Sequence, residues 1–167
     1  MKITQLCLKS NAVICTLLLI TFASLSDPTI AGAAGKIEIT KAWLRATPPS
    51  AMAAGGYLMI TNNTGVDDAL VGVEFSQAGK SEIHEMKMNN GVMEMRPHEE
   101  GILIPAGDSV TLKPGGFHLM FMGMKSQLKD GQNYKIGLKF TNFGTVEVVF
   151  PVLSMGKGKK MMMKEHK

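Results

Sequence analysis

The sequence predicts a single all-β antiparallel sandwich behind an export segment, and three observations carry that reading. Short alternating or β-branched runs recur with turn residues between them. No stretch keeps a helical period over a dozen residues, and no internal repeat is present. The span from about residue 36 to 153 is long enough to bury one core without covalent staples.

Strands are expected over Ile37 to Arg45, Tyr57 to Thr61, Ala69 to Phe75, Ser81 to Met88, Val92 to Arg96, Ser109 to Leu112 and Phe117 to Met122. Tyr134 to Phe140 and Thr145 to Val152 then close the domain as a hairpin. The connections hold Pro48 and Pro49, Asn62 and Asn63, Pro105 to Gly107, Pro114 to Gly116, and Asn142, residue types that suit turns.

The N-terminal segment reads as a signal peptide over residues 1–34. Lys2 and Lys9 precede an apolar run from Ala12 to Ala23, too short to span a bilayer comfortably, and Ala31 to Gly35 supply an A-x-A-like cleavage site. Both cysteines, Cys7 and Cys15, lie inside it, and neither has the small-residue context of lipid attachment. The mature domain, 35–154, is therefore free of cysteine, which excludes thiol catalysis, thiolate zinc and blue copper. The tail, 155–167, carries five lysines against Glu165 and is expected to be disordered. It accounts for the basic balance, since the body before it is about −1, so nucleic acid is not an expected partner.

The stretch Ser81 to Glu100 is the most informative. Asn90 and Gly91 form a strong two-residue turn signal between alternating runs, and that turn sets the register: Asn89 faces Val92, Met88 faces Met93, Lys87 faces Glu94, Met86 faces Met95, and Glu85 faces Arg96. Opposite charges then meet on one face and methionines on the other, where His84, Met86 and Met88 line up with Met93 and Met95. A second constellation is Phe117 to Met124, where period-two alternation puts His118, Met120 and Met122 on one face.

If the sandwich brings these two ribbons together, two imidazoles and several thioethers converge with no charged ligand. Thioether sulfur is soft and uncharged and selects Cu(I) over zinc, magnesium or calcium, and imidazole is a donor copper also accepts. Without thiolate the site binds more weakly, which suits a carrier. Taken singly, Met86, Met88, Met93 and Met122 read as packing residues, and His84 or His118 as an ordinary hydrogen-bonded histidine. Together they read as a cuprous site, because two of the body's three histidines lie on methionine-rich faces. The competing reading is a structural secreted sandwich whose methionines fill the core. A redox enzyme or electron carrier would need a cysteine or further histidines, so no enzyme activity is expected.

The run from His84 through Met95, Arg96 and Pro97, then Ile104 to Gly107, then Leu112 to Met122 with His118 and Met120, resembles the PCu(A)C family of periplasmic copper chaperones. The family pattern is a histidine, ten residues, a methionine, twenty-one residues and His-x-Met. The first spacing and the His-x-Met match, and the middle gap is twenty-two here, as if one residue were added near His98 to Glu100. Ala42 to Ala46 and Ala53 to Leu58 resemble the family's opening strands.

The resemblance implies a cupredoxin-like Greek-key sandwich, a periplasmic monomer that binds one Cu(I) through His84, Met95, His118 and Met120. It implies delivery to a copper-accepting protein, either a cytochrome c oxidase subunit or a thiol-containing assembly factor. Trp43 and Tyr57 are assigned to the core. Met161 to Met163 and His166 repeat the soft chemistry and suggest an auxiliary copper-capturing tail. His98 reads as a surface loop residue, and Met52 as a neighbour of the site.

Overall fold

Two antiparallel ladders fold over a shared apolar core and are joined by a short parallel pairing. The computed structural model describes residues 35–164. It places β1 at Ile37–Arg45, β2 at Ala53–Asn62, β3 at Asp68–Glu74, β4 at Lys80–Asn89 and β5 at Val92–Pro97. There follow β6 at Ile102–Ile104, β7 at Ser109–Leu112, β8 at His118–Met122, β9 at Asn133–Phe140, β10 at Gly144–Leu153, and a helix α1 at Met155–Met163. The export segment expected over 1–34, and His166, lie outside the described residues.

The first ladder runs β5-β4-β8-β2-β1, with β7 also on β2, and the second runs β10-β9-β3-β6. They meet where β1 pairs in parallel with β10, Leu44 opposite Val152 and Arg45 opposite Leu153. Alternation then delivers one face of each ladder to the interior: Leu44, Leu58, Ile60, Leu119 and Phe121 from the first, Leu70, Ile136, Leu138, Phe140 and Phe150 from the second. This is the expected all-β sandwich, and every strand read from the sequence is present to within a few residues.

Two elements differ from expectation. β6 was not read from the sequence; its three residues become a strand by pairing Ile102, Leu103 and Ile104 with Leu70, Ala69 and Asp68 of β3. The tail, expected to be disordered from 155, instead forms α1 through Met163 and packs against β1 and β10. Its contact point is Gly158: a Cβ there would lie 2.3 Å from the Trp43 ring, so only glycine lets the helix backbone rest on the indole. Met161 and Met162 are half-buried by this docking.

A bulge in β1 decides where Trp43 points. Thr40 pairs with Met59 and Trp43 with Tyr57, so two residues of β1, Lys41 and Ala42, stand against Leu58 alone, and Lys41 takes a φ of +51°. Ile37 and Ile39 face the core before the bulge and Leu44 after it. The added residue thus turns Trp43 to the outer face of the ladder. The assignment of Trp43 and Tyr57 to the core needs correction in this respect: both are buried on the outer face, Trp43 under α1 and Tyr57 beside it, with ring centres 4.6 Å apart.

Candidate metal centre

β4 and β8 are neighbours, antiparallel, with His84 directly opposite His118 and Glu82 opposite Met120. The two ribbons that the sequence left separate are therefore adjacent strands of one sheet. Their histidines share the outer face, because Ile83 and Leu119, one residue away on each strand, belong to the core. The ring centres lie 5.9 Å apart at 63°. Two imidazoles binding one ion at the usual distance of about 2.1 Å have ring centres no more than about 6.4 Å apart, so the spacing fits a shared ion.

The hairpin register follows the turn chemistry. Asn90 and Gly91 take φ of +48° and +82°, and the pairs run Asn89–Val92, Met88–Met93, Lys87–Glu94, Met86–Met95, Glu85–Arg96 and His84–Pro97. Met95 is thus diagonal to His84 and directly opposite Met86. On the charged face the partners differ from expectation: Arg96 pairs with Glu94 on its own strand rather than with Glu85 across it, since side chains two residues apart share a face and arginine is long enough to reach.

Hydrogen bonds fix which nitrogen of each ring is free. His84 Nε2 lies 2.9 Å from Glu82 Oε2, and Lys80 Nζ bonds the other carboxylate oxygen at 2.5 Å. The bond to His84, then that to Lys80, holds the Glu82 carboxyl below its ordinary range. An ionised carboxylate only accepts, so Nε2 of His84 carries the hydrogen, and the lone pair of the neutral ring sits on Nδ1. That Nδ1 is buried and has no hydrogen-bond partner. His118 is the complement: its Nδ1 donates to the Gly116 carbonyl at 3.0 Å, leaving the lone pair on Nε2. Burial foremost, and then the neighbouring His84, keep the His118 pKa below its ordinary value, which favours the neutral ring.

The sulfur donors line an open cleft of about 340 Å³ with His118: Met86, Met95 and Met120, walled by Tyr57, Ala53, Gly55 and the segment from Arg45 to Pro48. Gly55, opposite Met120, leaves the space that the Tyr57 hydroxyl occupies, since a Cβ there would lie 2.9 Å from it. The Tyr57 ring centre is 6.4 Å from that of His118, so Tyr57 bridges Trp43 and the histidine pair. Burial raises the Tyr57 pKa against the opposing charge of Arg45, and the phenol stays neutral.

Of the four ligands that the resemblance implies, His84 and His118 meet directly, and Met95 and Met120 flank the cleft beside His118. Met52 does not line that cleft and is largely exposed. His98 stands apart, its Nε2 on the Gly101 carbonyl and its ring against Phe117. Glu82 was missed by the sequence reading, although its place two residues before His84, on the same strand face, is a usable signal. Arg45 and Tyr57 gave no such signal, because only the bulge and the pairing of β2 with β8 bring them near. Among the described residues no three histidine, cysteine, aspartate or glutamate side chains gather as they would to hold a metal ion.

Comparison with known proteins follows the same fold. Residues 37–152 match the family described as LpqE-like, a family of candidate lipoproteins. The chain belongs to the LpqE-like family. It is 35% identical over 156 residues to a candidate lipoprotein, Lxx21020, of Leifsonia xyli subsp. xyli, covering 90% of this chain and 92% of that one. Among solved structures, this LpqE-like chain is similar to the copper-bound PCuAC domain from PmoF2, at TM-score 0.60 and 26% identity over 73% of this chain and 96% of that one. The apo PCuAC domain from PmoF1 gives TM-score 0.60 and 27% identity over 72% and 96%. CuI-DR1885 from Deinococcus radiodurans gives 0.57 and 30% over 75% and 84%. The LpqE-like fold is thus the cupredoxin-like fold of PCuAC domains, and the neighbours bear out a PCuAC-like chain, LpqE-like being a related family.

Proposed function

We propose that this protein is an exported copper metallochaperone that holds one Cu(I) through His84 Nδ1, His118 Nε2 and the thioethers of Met95 and Met120, and passes it to a recipient protein. One observation carries the reading: a buried His84 Nδ1 with no partner, directly across the sheet from a histidine whose Nε2 is also unused, beside a cleft lined by thioethers. A buried acceptor left unpaired costs about 1–3 kcal/mol, and a soft monovalent ion is the ligand that this donor set satisfies. The copper-bound PmoF2 domain and CuI-DR1885 support it by likeness of fold.

The burial gradient gives an order of exchange. Met95 is 48% exposed, Met120 is half-buried and both histidines are buried, so an incoming donor displaces Met95 first and the histidines last. Copper remains monovalent throughout, and the neutral ligands add no charge that would hold it. By resemblance the recipient is the copper centre of cytochrome c oxidase or a thiol-containing assembly factor. By the same resemblance the working compartment is the periplasm, which the export segment supports only as far as export. Cys7 and Cys15 are the only cysteines, so any lipid anchor of the kind named for the family would have to use one of them.

Anaerobic Cu(I) titration against a chromogenic chelator, followed by X-ray absorption, tests the reading. Stoichiometric uptake with both nitrogen and sulfur neighbours is expected, and it should be lost in a folded His118→Ala, Met120→Ala double variant. Absence of uptake, or copper bound without sulfur, overturns the proposal.

A further inference from the structure

The β4–β5 hairpin continues beyond the site as a free ribbon. β8 pairs with β4 as far as His84, and the Met86 amide still reaches the Gly116 carbonyl at 3.2 Å, so residues 87–89 and 92–94 run on as two strands alone. One face of this ribbon carries the charges Glu85, Lys87, Glu94 and Arg96, and the other carries only methionine, as two facing pairs: Met86–Met95 beside the histidines and Met88–Met93 one step further out.

The outer pair does not pack. Met88 is 60% exposed and Met93 is 45% exposed, which overturns their reading as packing residues. Nor is methionine this fold's filler: among the described residues the core cluster is built from Ile, Leu, Phe and Val with Ala54, and Met124 is its one methionine. Two-stranded ribbons are marginal on their own, and an exposed thioether pair adds little to hold this one. Facing residues have Cβ atoms about 4.5–5.5 Å apart, close enough for two flexible thioethers to grip one ion.

We propose that Met88 and Met93 form a second, outer Cu(I) station of thioethers alone, which captures the ion at the hairpin tip and hands it to Met86 and Met95 and so to the histidines. The ion stays monovalent and each step exchanges one neutral sulfur donor for another. With two sulfurs and no imidazole the outer station binds more weakly than the inner one, so an ion arriving there moves inward. The inward step rests on the inner-site reading; the outer binding does not.

Methionine-methyl NMR of the full mature chain during anaerobic Cu(I) addition separates the two. The Met95 and Met120 methyls should shift over the first equivalent, and those of Met88 and Met93 over the second. In a His84→Ala, His118→Ala variant the outer methyls should still shift. Conversely, a Met88→Ala, Met93→Ala variant should keep the inner affinity and load from a chelator about tenfold more slowly, having lost the local ion supply. Outer methyls that stay fixed through excess Cu(I), in wild type and histidine variant alike, overturn the station, and an unchanged loading rate overturns the hand-off. Outer shifts without inner ones would remove the inner site while leaving the outer one standing.

Discussion

His84 and His118 face each other directly across β4 and β8 with opposite free nitrogens, Nδ1 on the first and Nε2 on the second. Each is set by an acceptor that cannot donate, the Glu82 carboxylate or the Gly116 carbonyl. Long-range nitrogen–proton NMR of the metal-free protein near neutral pH should therefore show the Nε2–H tautomer for His84 and the Nδ1–H tautomer for His118. The same tautomer on both rings would remove the geometric basis for a shared ion.

Glu82 acts on the ion through His84, as a positioning residue. Loss of such a partner typically lowers metal affinity about 10–100-fold. Glu82→Ala should reach that range in chelator competition with Cu(I), whereas Glu82→Gln, which keeps an acceptor oxygen for Nε2–H, should lose less. Equal losses in the two variants would show that the hydrogen bond does not matter.

The hairpin and its register were legible because Asn90 and Gly91 admit few turns, and because a slip by one residue would scatter charges and methionines over both faces. The meeting of His84 with His118 was not legible, since it depends on β8 pairing with β4 across three intervening strands, β5 to β7. The outward turn of Trp43 hides in a one-residue bulge at Lys41 and Ala42 that no local pattern announces. α1 was invisible for a related reason. Gly156 and Gly158 lower helix propensity, and the helix exists because the bare backbone at 158 docks on Trp43. β6 has only three residues and takes its identity from β3.

That docking gives a separate prediction. Gly158→Ala places a methyl group inside the Trp43 ring's contact distance. Overpacking of this kind costs about 1–3 kcal/mol, relieved here by lifting the helix. Because Trp43 is the chain's one tryptophan, its fluorescence should shift to the red and the melting temperature should fall. An unshifted emission with unchanged melting would mean the helix does not cover the indole.

Asp68 links the fold to pH. Its buried carboxylate joins the start of β3 to the turn between β9 and β10, accepting from the Ala69 amide at 2.7 Å and from the Asn142 and Phe143 amides at 2.9 Å each. Burial alone would raise its pKa, but the Asn142, Ala69 and Phe143 amides together outweigh that and hold it below the ordinary value. The folded state thus binds this proton less readily than the unfolded chain does. Ionised Asp68 stabilises the fold fully above the unfolded value, about 3.9, and that contribution fades as pH falls through the lower folded value. Asp68→Asn sets an NH2 group against backbone donors and should cost about 1–3 kcal/mol at neutral pH. Denaturant melts from pH 7 downward should show the gap between wild type and variant closing only in the acid range. A gap that is absent at neutral pH, or that widens on acidification, would contradict this account of the turn.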